Sequence, residues 1–234
     1  MTGILYLIPS PLGEGQLSDM LPPGVLERIS GLSCFIAEHP KTARQFLKLA
    51  GLQKPIQEMD IRVLNEHTKK ADIELLLEPL MKGMNAGLLS EAGCPAVADP
   101  GSDLVMLAHG KGIRVIPLIG PSSILLALMA SGLGGQRFSF HGYLPVEREA
   151  QARKIRELEK ESGILDETEI FIETPYRNMK LFEALLANCR ESTLLCLATD
   201  ITLPDESILT KSISDWKKSR IEIGKRPTVF LIRG

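Results

Sequence analysis

LLSEAGCPAVADPGSDLVMLAHGKGIRVIPLIGPSSILLAL, residues 88–128, alternates apolar runs with corners rich in glycine and proline. Two strand-like runs, AGLLS (86–90) and IRVIPLI (113–119), end at the corners EAGCPAVADPG and GPSS. A third run, ILYLI (4–8), ends at PSPLGEGQ in the same way. A segment with helical spacing separates the first two runs, and this alternation indicates parallel strands joined by helices. In such sheets ligands bind beyond the carboxyl ends of the strands, so we expect a ligand at these three corners.

The rest of the chain repeats this alternation and predicts an α/β protein of two α/β domains. Further strand-like runs occur at 33–37, 137–143, 169–173, 193–199, 206–210 and 228–233, with helical segments between most of them. After about residue 120 the order becomes more mixed and indicates antiparallel pairing. We therefore predict an N-terminal domain over 1–118 and a C-terminal domain over 119–234, with the boundary in PLIGPSS.

Composition excludes several classes of function. The chain has 27 basic and 29 acidic residues and a net charge of −2, so any contact with nucleic acid must be local. Its four cysteines form no CxxC pair and its four histidines have no metal-helix spacing, so neither a metal site nor a disulfide framework is expected. No run approaches the ~20 apolar residues of a membrane span, and the N-terminus lacks the pattern of a signal peptide. We expect a cytoplasmic protein.

The corners are suited to a ligand that is recognised by backbone N–H and C=O groups. Glycine and alanine let a ligand approach the backbone closely, and proline fixes the turns. Tight turns and helix caps explain any one corner, but three at successive strand ends favour a cofactor site. No GxGxxG spacing and no GK[ST] motif is present, which argues against nicotinamide dinucleotides and nucleoside triphosphates.

The central block, together with YLIPSPLGE, AEHPKTARQFL, NEH, FIETPYRN and RPTVFLIRG, resembles a known enzyme family. This is the family of S-adenosylmethionine-dependent methyltransferases that includes the tetrapyrrole methylases. Within it the chain is most similar to the branch that methylates the ribose 2′-oxygen of a cytidine in 16S ribosomal RNA. The resemblance implies two α/β domains, S-adenosyl-L-methionine in a cleft between them, a homodimer, no metal, and RNA of the small ribosomal subunit as substrate.

The resemblance also assigns residues to the cofactor and to the substrate. The corner after the run 86–90 would contact the cofactor through Leu89, Ser90, Gly93, Cys94, Pro95, Val97, Ala98 and Asp99. Ser122 and Ser123 would extend that wall, and the second domain would close over the adenine with Ile172, Glu173, Ala198, Thr199, Pro227 and Thr228. The substrate side would contain Ser10, Glu14, His39, Lys41, Arg44 and Glu66.

Methyl transfer to a hydroxyl usually needs a base that takes the proton. Candidates are His67, whose imidazole can titrate near neutral pH, and Glu38 at the end of a strand. Structural roles explain both residues as well: His67 as a surface histidine at the start of a helix, and Glu38 as a carboxylate whose charge favours the start of the next helix.

The substrate-side motifs depart from the rRNA branch. That branch typically has TPIGN, EDTR and SPHR where this chain has SPLGE (10–14), EHPK (38–41) and TPYR (174–177). Two alternatives therefore stay open: a small-molecule methylase of the tetrapyrrole type, and a protein that binds S-adenosylmethionine without catalysis.

Overall fold

The computed structural model describes all residues, 1–234, and divides into two compact units, Met1–Ser122 and Ser123–Gly234. The division lies a few residues after the boundary that PLIGPSS suggested. The turn Gly120–Ser122 belongs to the first unit, where Cys94 donates a sulfur hydrogen bond to the Pro121 carbonyl at 3.5 Å. Each unit has a sheet of five strands with its own helices.

The first unit is a fully parallel sheet in the order β3-β2-β4-β1-β5. Its strands are β1 Ile4–Ile8, β2 Cys34–Ala37, β3 Asp60–Val63, β4 Ala86–Leu89 and β5 Arg114–Pro117. Its helices are α1 Leu17–Met20, α2 Pro23–Ser30, α3 Pro40–Leu49, α4 Lys70–Leu76, α5 Glu78–Met81 and α6 Gly101–Gly110, with a 3-10 helix at Ile56–Glu58.

Both faces of this sheet are buried, which explains its continuous apolar strands. Phe35 packs in one hydrophobic cluster and its neighbours Cys34 and Ile36 pack in another. Every residue of the central strand β4 is buried. At Gly87 an added Cβ would lie 2.4 Å from Ile8 Cδ1, so glycine allows close side-chain packing inside the sheet.

The second unit has a mixed sheet in the order β6-β7-β10-β8-β9. Only β6 and β7 pair in parallel, and the other neighbours are antiparallel, in agreement with the mixed pattern of the sequence. Its strands are β6 Phe138–Tyr143, β7 Thr168–Ile172, β8 Leu194–Thr199, β9 Ser207–Ser212 and β10 Thr228–Arg233. Its helices are α7 Ser123–Ser131, α8 Arg148–Leu165, α9 Asn178–Asn188 and α10 Ile213–Lys218.

Aromatic side chains fill the core of the second unit. Phe171 and Phe230 stack with ring centroids 6.0 Å apart, and Phe182 meets Trp216 edge to face at 5.6 Å. Trp216 is buried, and its indole N–H donates to the Leu195 carbonyl at 2.8 Å. Its polar group is therefore satisfied inside the protein, and Trp216 is a packing residue.

The structure contains elements that the sequence pattern did not predict. Strand β3 reads DIRV and lies at the sheet edge, where it is only partly buried, so its apolar signal is weak. The segment KKADIELLLEPLMKG (69–83) has the spacing of a single helix, but the structure has two helices there, because Pro79 stands in the first turn of α5 and cannot donate a helical hydrogen bond. The short helices α1 and α10 also went unpredicted.

Candidate functional site

The corners after β1 and β4 are joined by three hydrogen bonds, and a fourth lies within the corner after β4. The Ser10 N–H donates to the Gly93 carbonyl and the Gly93 N–H to the Ser10 carbonyl, both at 2.9 Å. The Ser10 hydroxyl donates to the Ser90 carbonyl, and the Ser90 hydroxyl to the Gly93 carbonyl, both at 2.6 Å. Parallel neighbours end at the same edge of a sheet, and here the two loops that leave that edge form one structure.

The corner after β5 joins the same structure. Besides the contact of Cys94 with Pro121, an added Cβ at Gly120 would lie 2.5 Å from Pro9 Cβ. Burial raises the pKa of the Cys94 thiol, and a hydrogen bond with Ser122 opposes that rise. The three corners predicted from the sequence therefore meet at one place in the first unit, and Gly120 is small because another corner packs against it.

The loop between β4 and α6 is strained and remains partly open. Ala96 and Ala98 have φ values of 64° and 58°, in the left-handed region that costs a residue with a side chain about 1 kcal/mol or more. Asp99 holds this loop, because its Oδ1 accepts the N–H groups of Ala96 and Gly101, both at 2.8 Å. Burial raises the pKa of Asp99, and these two hydrogen bonds oppose the rise. Strain of this kind is found preferentially at functional sites.

Small or short side chains of this loop are accessible. Ala98 and Ala92 are exposed, and Val97 is 46% exposed, whereas Gly93 and Pro95 are buried. Among the predicted cofactor residues of this loop, Val97 and Ala98 therefore leave the main chain open to a ligand, whereas Ser90, Cys94 and Asp99 are only partly buried. Their binding role stays a prediction.

A cavity of about 620 Å³ adjoins the joined corners. It lies beyond the carboxyl ends of β1, β2 and β4 and shares Ser10, Leu89 and Ser90 with the corners. Predicted substrate residue Glu14 also lines it, and helix α3 contributes half of the remaining lining residues. The further lining residues are Pro11, Gly13, Gly15, Leu17, Ala37, Thr42, Ala43, Gln45, Phe46, Lys48, Leu49 and Glu91.

Thr42 and Glu91 are cavity residues that the sequence did not single out. The Thr42 hydroxyl lies 2.9 Å and 3.0 Å from the two carboxylate oxygens of Glu91. Glu91 Oε1 is also 3.5 Å from Nδ1 of His39, a predicted substrate residue at the start of α3. The position of Glu91 directly after a strand was the available signal, but only the fold brings it to Thr42 and His39.

The other predicted substrate and catalytic residues lie around rather than in the cavity. Lys41 and Arg44 are exposed on α3, and Glu38 follows β2 and is half-buried. Glu66 and His67 lie after the edge strand β3, with side chains 81% and 84% exposed and 3.5 Å apart. Neither these five residues nor His39 lines the cavity.

In the second unit, most of the predicted cofactor residues lie at the same end of three adjacent strands, β7, β10 and β8. Val229 of β10 pairs with both Ile172 and Ala198, and Thr228 pairs with Thr199, their hydroxyl oxygens 3.2 Å apart. Pro227 directly precedes β10 at this edge, and Ser123 is the first residue of α7.

Glu173, at the end of β7, has its own partners. Its carboxylate is buried and accepts hydrogen bonds from the Thr174 N–H at 2.7 Å and from Arg177 at 2.6 Å and 2.9 Å. The register thus brings these distant positions together, while their contact with a cofactor stays a prediction.

The structure has no cluster of metal ligands and no membrane-spanning helix. No group of three or more histidine, cysteine, aspartate or glutamate side chains is arranged to hold a metal ion, and the four cysteines are free thiols. No helix has both the length and the apolar character needed to cross a membrane.

Comparison with solved structures identifies the fold. The structure titled methyltransferase CobJ superposes with a TM-score of 0.66, covering 100% of this chain and 95% of that one, at 18% sequence identity. Cobalt precorrin-4 methyltransferase CbiF gives a TM-score of 0.63 at 16% identity. The predicted tetrapyrrole methylase-like α/β fold is confirmed.

Comparison with curated sequences identifies the family, although no family model matches the chain. Ribosomal RNA small subunit methyltransferase I of Haemophilus influenzae is 32% identical over all of this chain and 80% of its own length. The protein of the same name from Escherichia coli O157:H7 is 30% identical over 99% of this chain and 78% of its own. The predicted methyltransferase activity and S-adenosylmethionine as its cofactor are confirmed. The chain belongs to the ribosomal RNA small subunit methyltransferase I family.

Proposed function

We propose that this protein transfers a methyl group from S-adenosylmethionine to a ribose 2′-oxygen in RNA of the small ribosomal subunit. The observation that carries the proposal is that the joined corners and the 620 Å³ cavity share Ser10, Leu89 and Ser90. A cofactor held at the corners and an acceptor held in the cavity would be neighbours, as methyl transfer requires.

The corners fit a cofactor recognised mainly through its shape and its contacts with main-chain groups. Ala92 and Ala98 are exposed and have no side chain beyond Cβ, so a ligand can reach the backbone beside them. S-adenosylmethionine supplies an electrophilic methyl group when bound, so no metal is required.

The cavity fits a nucleoside attached to a charged backbone. Its size lies within the range of ligand pockets, and Leu17 and Phe46 supply apolar surface for a base. Lys41, Arg44 and Lys48 are exposed on α3, and only Lys48 also lines the cavity. We propose that these three cations contact phosphates, which explains how a chain of net charge −2 binds RNA locally.

The relatives named above support this substrate. Their names specify RNA of the small ribosomal subunit, and they match nearly the whole of this chain. We further propose that the protein acts in the cytoplasm as a homodimer, with apolar side chains such as Met106 and Met129, 72% and 78% exposed, as candidates for the contact. Light scattering of the purified protein tests the dimer.

The central experiment measures transfer of a tritiated methyl group. Small ribosomal subunits from a strain that lacks the modification are the substrate, and precorrin-like tetrapyrroles are the competing acceptor. We expect counts in the RNA and none in the tetrapyrrole. Counts only in the tetrapyrrole would establish the small-molecule alternative, and calorimetric binding of S-adenosylmethionine without transfer to either acceptor would establish the non-catalytic one.

A charge variant tests the α3 contact. Changing Lys41, Arg44 and Lys48 together to alanine should raise KM for RNA and reduce its dependence on salt, while S-adenosylmethionine affinity stays unchanged. Lys82→Ala is the matched control, because Lys82 is an exposed cation of the same unit outside the cavity. Equal KM values for the two variants would exclude α3 as the phosphate contact.

A further inference from the structure

His39, Thr42 and Glu91 bring an imidazole, a hydroxyl and a carboxylate together beside the cavity; Thr42 and Glu91 line it, and His39 is the neighbour of Glu91. The Thr42 hydroxyl lies within 3.0 Å of both Glu91 carboxylate oxygens and 2.9 Å from the His39 carbonyl. Its single proton can serve only one of these acceptors at a time, but its position ties Glu91 to the start of α3. Glu91 in turn lies 3.5 Å from the Nδ1 atom of His39.

The orientation of the imidazole is the informative feature. A carboxylate that faces Nδ1 favours the neutral tautomer with the proton on Nδ1, and this leaves the lone pair on Nε2 free to accept a proton. The His39 side chain is 62% exposed and can exchange a proton with water. The distance of 3.5 Å is long for a hydrogen bond, but such contacts commonly tighten only when the substrate is bound.

The other candidate base lacks these features. His67 has Glu66 at the same distance of 3.5 Å, but both side chains are more than 80% exposed. Glu66 has no hydroxyl of another element holding it and does not line the cavity, whereas Glu91, the partner of His39, does. An exposed pair of adjacent residues is weakly oriented, because both side chains keep most of their rotational freedom.

We propose that His39 is the general base of the methyl transfer and that Glu91, held by Thr42, is its positioning residue. This inference rests on the proposed function. The hydroxyl oxygen of the acceptor forms a bond to the methyl carbon as the carbon–sulfur bond breaks, and that bonding pair stays on sulfur. The hydroxyl proton goes to His39 Nε2 and from there to water. Charged groups around this cluster are Glu14, Glu38, Lys41, Arg44 and Lys48.

The kinetic test compares variants on the same ribosomal subunits. His39→Ala should lower kcat about 100-fold or more, the usual contribution of a general base, with S-adenosylmethionine affinity unchanged. Added imidazole should restore part of that rate, since the exposed position lets a small base enter. Glu91→Gln should lower kcat about tenfold with KM unchanged. Glu74→Gln, which removes a carboxylate from an ion pair of the same unit outside the cavity, should match the wild type.

A spectroscopic test needs neither substrate nor cofactor. In ¹⁵N NMR of the free protein at a pH where His39 is neutral, its ring should have the Nδ1–H tautomer in the wild type. Glu91→Gln should shift the population towards Nε2–H, and Glu74→Gln should not. His39→Ala is expected to fold, because the His39 side chain makes no capping hydrogen bond to α3.

The outcomes distinguish failure of the proposed function from failure of the proposed roles of His39 and Glu91. A wild-type protein that transfers no methyl group to RNA overturns the proposed function and this inference with it. If the wild type is active, full activity of His39→Ala overturns only the inference, as does loss of activity in His67→Ala alone. An unchanged tautomer in Glu91→Gln excludes Glu91 as the positioning residue. Rescue by imidazole together with the tautomer shift would support both roles.

Discussion

Asp99 gives the sharpest test of how the loop between β4 and α6 is held. Both of its hydrogen bonds end on the same atom, Oδ1, which accepts from the N–H groups of Ala96 and Gly101. Asp99→Ala removes this acceptor and leaves two N–H groups without a partner in a partly buried loop. Asp99→Asn can keep Oδ1 in place and loses only the charge. The two variants therefore separate the hydrogen bonds from the carboxylate.

The expected magnitude follows from these two bonds. Each contributes about 1 kcal/mol net, and more where the donor is left buried, so Asp99→Ala should lower the free energy of local opening by about 2 kcal/mol. That corresponds to about 30-fold faster amide hydrogen exchange at Ala96 and Gly101. Asp99→Asn should change exchange by less than about fivefold. The Gly93 amide, which donates to Ser10, is the internal control.

The pH dependence has a definite sign. Because burial raises the pKa of Asp99 in the fold, its contribution to stability is fully present below the ordinary pKa of aspartate and is lost as the pH rises through the raised value. Asp99→Asn lacks this dependence, so its stability relative to the wild type should increase from low pH towards neutral pH. Equal amide exchange rates in Asp99→Ala and the wild type would show that these hydrogen bonds do not hold the loop. Equally fast exchange in Asp99→Ala and Asp99→Asn would show that the charge, and not the acceptor, matters.

Three further predictions concern the same unit. Ala98→Phe should abolish S-adenosylmethionine binding in calorimetry with the circular dichroism spectrum retained, because Ala98 is exposed at the proposed cofactor site; tight binding by this variant would exclude the loop. Cys94 is the one cysteine that is not buried, so it should react first with a thiol reagent in the native protein. S-adenosylmethionine should slow that reaction, and equal reactivity of all four thiols would contradict the selective exposure of Cys94. Gly3→Ala should destabilise the protein by about 2 kcal/mol or more in urea unfolding, because the new Cβ would lie 1.9 Å from the Met84 carbonyl oxygen; an unchanged midpoint would show that the backbone relaxes.

The pattern of apolar residues was sufficient to predict the central strands of the first unit's sheet. Strands buried on both faces must be apolar throughout, so β1 and β4 were visible as continuous runs. The edge strand β3 was not, because two of its four residues face solvent and its composition resembles a loop. Pro79 was a signal for the break between α4 and α5, but the helical spacing of apolar residues continues across it and hides the break.

For the site, the sequence by itself determined the corners and their residue types, because a turn that packs against another backbone tolerates only small side chains. Only the tertiary structure decided which corners meet and which polar groups face each other. Thr42 and Glu91 are 49 residues apart, and His39 reaches Glu91 only because β2 and β4 are neighbours in the sheet. Strand order is set by long-range packing and crossover connections, and no short stretch of sequence contains that information.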